Sequence, residues 1–278
     1  MIRSHRKWGT ALVLAAAQAA AVAAVGPDVA QDLAKKSGLW VQLDSLGTQV
    51  LAGISAAMAK DPGKETPEQK AKRLDCAQSA YAADGLRAPV IDAVAGTLQP
   101  ADVAPLRAWY DSPLGGKVSA MERASAAQST DPQERLRRGT EALSGASEAR
   151  KVSLQAILAE THSVDIMADT LIEMALAVQQ GTASADPAAS GASIAELKAN
   201  LSVRRPQLIQ YYAQIALQAY AFTYAGLDDD ELGKYADYLG TPAAKSFNDG
   251  SIRGVSRALT SGSVKLRRCL MDAGAAKS

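Results

Sequence analysis

Histidine and cysteine are scarce in this 278-residue chain, at two of each, and aromatic residues make up only 5% of it. His5 falls in a basic leader, which leaves His162 as the one imidazole of the remaining chain. Its neighbours Glu160 and Asp165 do not share a helical face with it, and no second histidine or nearby thiol completes a zinc set. A glycine-rich phosphate loop and a Ser-x-x-Lys nucleophile are missing. Gly115-Gly116-Lys117 lacks both the upstream glycine and the following hydroxyl that a phosphate loop requires. The acidic run Asp228 to Glu231 has neither the glycine turn nor the spaced oxygens of a calcium loop, and helix capping accounts for it. Neither sign of charge dominates: 30 basic residues face 29 acidic ones. So balanced a chain gains little long-range attraction to phosphate backbones, which argues against nucleic acid as a partner. These absences together lead us to expect no catalytic residue, no metal and no cofactor, hence a non-enzymatic protein.

What is present begins with an address. Arg3, Arg6 and Lys7 precede an apolar run from Trp8 to Val25 that ends at Gly26-Pro27. That order is a signal peptide over residues 1–25, with Ala23 or Ala24 as the cleavage position. The run is Ala-rich and barely long enough to span a bilayer, so no stable membrane span is expected after processing. The expected destination is periplasmic or secreted. In such an oxidising compartment Cys76 and Cys269 are a disulfide candidate, against the alternative of two unrelated buried small residues.

Apolar residues reach 47%, carried mainly by Ala and aliphatic side chains with little β-type alternation, which predicts an all-α fold. The chain also repeats itself. Residues 98–113 align without a gap on residues 227–242, a shift of 129 positions. This implies two tandem related helical bundles: unit 1 over 29–129, a solvated connecting helix and linker over 130–150, and unit 2 over 151–274 with a flexible insertion at 181–193. Within the repeat, Asp228 and Glu231 form a reciprocal helix cap matched by Gln99 and Asp102. Pro105 falls where an amide hydrogen is wanted, so that helix either kinks or starts later, at Asp102. Ser112-Pro113 and Thr241-Pro242 then end one helix and start the next, because a pre-proline residue leaves the helical region while its hydroxyl caps. Trp109, Ser112 and Pro113, with Tyr238, Thr241 and Pro242, are the structural corners of the repeat. Gly115 would let neighbouring backbone approach closely.

Leu98-x-x-x-Asp102-Val103 and Leu227-x-x-x-Glu231-Leu232 each open a short helix that closes on Ser/Thr-Pro and is followed by a small residue and Lys. This pattern resembles the bacterial family named domain of unknown function 2059, in two tandem copies. The chain departs from it at Pro105 and at Gly240, which stands where the first copy has Asp111. The resemblance implies export and a helical fold, and it transfers no catalytic residue.

The remaining aromatic concentration, Tyr211, Tyr212, Tyr220, Phe222 and Tyr224, surrounds both faces of one helix, and is the expected ligand or partner surface. Two functions follow as expectations. The first is protein–protein contact in the cell envelope with a partner the sequence does not name. The alternative is carriage of an apolar small molecule or lipid in a cleft between the two bundles.

Overall fold

The computed structural model describes residues 24–60, 66–127, 131–182 and 187–275, and every regular element in them is an α-helix. Most of the leader therefore lies outside the described residues. The helices are α1 (Pro27–Lys36), α2 (Leu39–Lys60), α3 (Pro67–Ala80), α4 (Ala83–Thr97), α5 (Pro100–Tyr110) and α6 (Pro113–Ala127), followed by α7 (Pro132–Ser144), α8 (Glu148–Thr161), α9 (Ser163–Thr182), α10 (Pro187–Thr223), α11 (Asp229–Leu239) and α12 (Pro242–Ala275). Seven of these begin on proline, whose fixed φ suits a first helical turn and whose missing N–H costs nothing there. Proline is the chain's punctuation.

Local chemistry sets the boundaries. Thr66 and Gln69 cap α3 reciprocally, Asp131 accepts from the Gln133 amide at 3.0 Å to start α7, and Asp228 with Glu231 starts α11. The first copy of the repeated segment starts at Pro100, not later: the Gln99 amide donates to Asp102 at 2.9 Å and Pro105 stays inside α5. At the end of α8, His162 is held left-handed at φ 47°. A β-carbon makes that region unfavourable by about 1–2 kcal/mol, and glycine removes the penalty. His162→Gly should therefore raise stability by about 1 kcal/mol, read as a higher urea midpoint at unchanged slope.

Two expectations change. The tract 181–193 is not a loop throughout: α9 runs through Thr182 and α10 starts at Pro187, with residues 183–186 outside the described residues. Its alanines favour helix, and Pro187 supplies the start. Nor is α7 only a solvated connector. It lies along α10, close enough that a β-carbon on Gly139 would sit 2.1 Å from the Gln218 carbonyl oxygen, with the Arg138 guanidinium 4.9 Å over the Phe222 ring.

Apolar side chains gather in two cores. One is built from α1 to α5 around Leu33, Leu43, Leu86, Val90 and Leu106, the other from α6, α8, α10 and α11 around Val118, Leu154, Ile157 and Leu232. Chain order does not divide them cleanly. Helix α12, at the far end of the sequence, delivers Phe247, Ala258, Leu259 and Leu266 to the first core. Small residues recur along it every four positions, Gly250, Gly254, Ala258 and Gly262; the first two lie against α4, and Gly262 lies against the Tyr81 ring at the end of α3. A β-carbon at Gly254 would lie 2.5 Å from the Val90 Cα, and one at Gly250 would lie 2.9 Å from the Val94 Cα. Cys76 of α3 and Cys269 of α12 are disulfide-bonded, with Cα atoms 5.7 Å apart across 193 positions of sequence.

Candidate functional site

The corners that end α5 and α11 are built alike. Ser112 Oγ donates to the Trp109 carbonyl at 2.6 Å and accepts from the Gly115 amide at 3.0 Å. Thr241 Oγ1 donates to the Tyr238 carbonyl at 2.7 Å and accepts from the Ala244 amide at 3.3 Å. The first corner is the tighter. A β-carbon on Gly115 would lie 2.0 Å from the Trp109 carbonyl oxygen, which is why glycine stands there while alanine fits at 244.

These corners hold two rings against each other. Trp109 and Tyr238, 129 positions apart, stack with centroids 4.0 Å apart at 8°. From that pair the aromatic contacts run on in both directions. On one side Tyr235 lies 6.0 Å from Trp109, Tyr224 meets Tyr235 edge-on at 5.4 Å, and Tyr220 lies 5.8 Å from Tyr224. On the other, Tyr110 meets Tyr238 edge-on at 6.2 Å and Phe247 at 6.0 Å. The chain has three Trp, eight Tyr and two Phe. Seven of those thirteen rings line one cavity of about 660 Å³ between the two cores. Exposed Gln42, Gln49 and Met167 on its lining mark where it reaches solvent.

One carboxyl group sits within this aromatic lining. Glu122 of α6 accepts on Oε1 from the hydroxyls of both Tyr224 and Tyr235, each at 2.7 Å. Among the described residues its Oε2 has no hydrogen-bond partner, and no cation forms an ion pair with it. Burial raises the Glu122 pKa above the ordinary glutamate value, and the two phenol hydrogen bonds with the nearby Arg123 charge only partly oppose it. Burial first, then the Glu122 charge, pushes Tyr224 and Tyr235 well above the usual phenol range. Tyr238 rises to about 12 through burial, although its hydroxyl and the Tyr110 hydroxyl form no well-shaped hydrogen bond.

Because the folded state holds the Glu122 proton more tightly than the unfolded state does, the penalty of ionising it in place is absent below pH 4.5 and grows as pH rises from there. The tyrosines around it are pushed the other way from neutrality, well above the usual phenol range, so Glu122 is the group here whose ionisation sets in as pH rises from 4.5. Glu122→Gln should flatten that decline, seen as a smaller fall in melting temperature as pH is raised above 4.5 than the parent shows.

The sequence-derived aromatic group divides. Tyr220 and Tyr224 reach the cavity; Tyr211 is 63% exposed and meets Tyr212 edge-on at 5.1 Å, and Phe222 lies beneath Arg138. Sequence reading did not single out Glu122. The available signal was spacing, since Leu114, Val118 and Glu122 recur every four residues and Val118 is buried. His162 is exposed, while Glu160 pairs with Lys245 at 3.3 Å and Asp165 with Arg205 at 3.0 Å, so the three diverge. The acidic run is occupied by caps and by ion pairs to Arg150, Lys117 and Lys234. Among the described residues no helix is long and apolar enough to cross a membrane. No protein-family model, curated protein or solved structure matches the chain.

Proposed function

We propose that this protein binds and carries a small, mainly apolar molecule in the cavity between its two cores. The observation behind this reading is the gathering of seven rings, six on four helices and Tyr224 just past the end of α10, around one space of about 660 Å³. That volume is in the usual range of small-molecule sites, about 300–1,000 Å³. A packing flaw is a poor account of it. At roughly 24 cal/mol per Å³, a dry void of this size would cost about as much as the whole 5–15 kcal/mol stability of a typical domain. Space that solvent or ligand fills escapes that penalty.

Export through the leader at 1–25, to the periplasm or outside, belongs to the same reading, as does descent from a doubled ancestor. The matching corners and the stacking of Trp109 on its counterpart Tyr238 support the doubling. Protein–protein contact as the main role draws less support. The large exposed apolar side chains, Val152, Met167, Val203, Tyr211, Val264 and Met271, are distributed over four helices, whereas a docking patch concentrates them.

Native mass spectrometry of protein purified without detergent from its natural source tests the proposal. A bound mass of a few hundred daltons, released by organic solvent, is the expected result. An apo mass alone, with no quenching of Trp109 emission by a panel of apolar ligands, would overturn it.

A further inference from the structure

We propose that the molecule held between the two cores carries a basic nitrogen, which the Glu122 carboxylate binds inside the aromatic lining. This rests on the carrier reading above and adds the chemical class of the ligand.

The geometry around Glu122 is that of a half-built ion site. Both phenol donors converge on Oε1, leaving Oε2 without a hydrogen bond among the described residues. The adjacent cation is committed elsewhere: Arg123 Nη1 donates to the Lys36 carbonyl at 3.2 Å, and its side-chain stem lies against Gly38. Glu122 is half-buried, so its carboxylate is incompletely hydrated and has no counter-ion among the described residues, and a ligand ammonium would supply both the missing charge and an N–H for Oε2. The rings make the same demand. Seven aromatic rings share the lining with Glu122, and aromatic π-systems attract a desolvated cation, the principle behind aromatic recognition of amines. An acidic ligand would set a second anion beside Glu122, with Arg135 as the one Lys or Arg on the lining to offset it. A further group points to a second ligand feature. The Asn248 side-chain Nδ2 is buried on the same lining without a hydrogen-bond partner, and it would serve an oxygen acceptor on the same molecule.

Three probes on one frame decide the matter by calorimetry at pH 7: 4-phenylbutylamine, 4-phenylbutanol and 4-phenylbutanoate. The amine should bind at least tenfold more tightly than the alcohol, and the carboxylate more weakly than either. Glu122→Gln should remove tenfold or more of the amine affinity while leaving the alcohol unchanged, since glutamine still accepts from Tyr224 and Tyr235. Alcohol or carboxylate binding as tight as the amine overturns the nitrogen assignment and leaves the carrier reading intact. So does an amine affinity that survives E122Q. Absence of binding by all three overturns both. The comparison among probes on the parent protein decides even if E122Q does not fold.

Discussion

Changing Cys76 and Cys269 to serine together should lower stability by about 2–5 kcal/mol, the usual range for losing a native bridge. The link joins α3 to α12 across 193 positions, and closing so long a loop removes a large share of the unfolded chain's freedom. Cys76 lies in the first core, only 2% exposed, and Cys269 packs half-buried against it, so the serine hydroxyl at position 76 would also be buried among apolar neighbours. At a few degrees per kcal/mol for a chain of this size, the melting temperature should fall by roughly 5–15 °C. Calorimetry with and without reductant checks it. A parent protein whose transition is indifferent to reductant, and equal to the double variant, would show that the bridge contributes nothing.

The second large effect is expected at the glycine stripe. Gly254→Leu puts its first side-chain carbon 2.5 Å from the Val90 Cα and 3.2 Å from the Pro89 carbonyl oxygen, and main chain cannot rotate aside as a side chain can. Helix α12 must then move off α4 and take Phe247, Ala258 and Leu259 out of the first core. Overpacking of this kind costs about 1–3 kcal/mol where side chains yield, and more where backbone must shift, so we expect about 3 kcal/mol or more. Gly96→Ala is the matched control, since a β-carbon there meets nothing within 4 Å. It should gain up to about 1 kcal/mol from helix propensity alone. Urea titrations of the two variants should move in opposite directions.

The elements most legible in the sequence were those whose causes are local. Proline at the first turn, with Asp131 and Asp228 as caps, depends on neighbours a few positions away, and so do the Ser112 and Thr241 corners. Of the two alternatives at Pro105, the later start is not taken, because an unpaired carbonyl near an exposed helix start is readily solvated. The tertiary partners were not legible. Spacing by four at Gly250, Gly254, Ala258 and Gly262 announces close approach by some backbone, but nothing in it names α4. The cavity was hidden for the same reason. Six of its rings come from α5, α10, α11 and α12, each readable only as the apolar face of its own helix. Glu122 was the hardest residue to find, because a carboxylate declares itself buried only once the helices around it are placed.

The position of α12 also governs how the molecule can be made. Translation delivers α1 to α5 first, yet the groove on α4 that Gly250 and Gly254 occupy stays vacant until nearly the whole polypeptide has left the ribosome. The first core is therefore complete only once α12 has been made, and we expect its folding to come late in synthesis. Under the export proposed above, that delay would suit passage through a pore that takes unfolded chains.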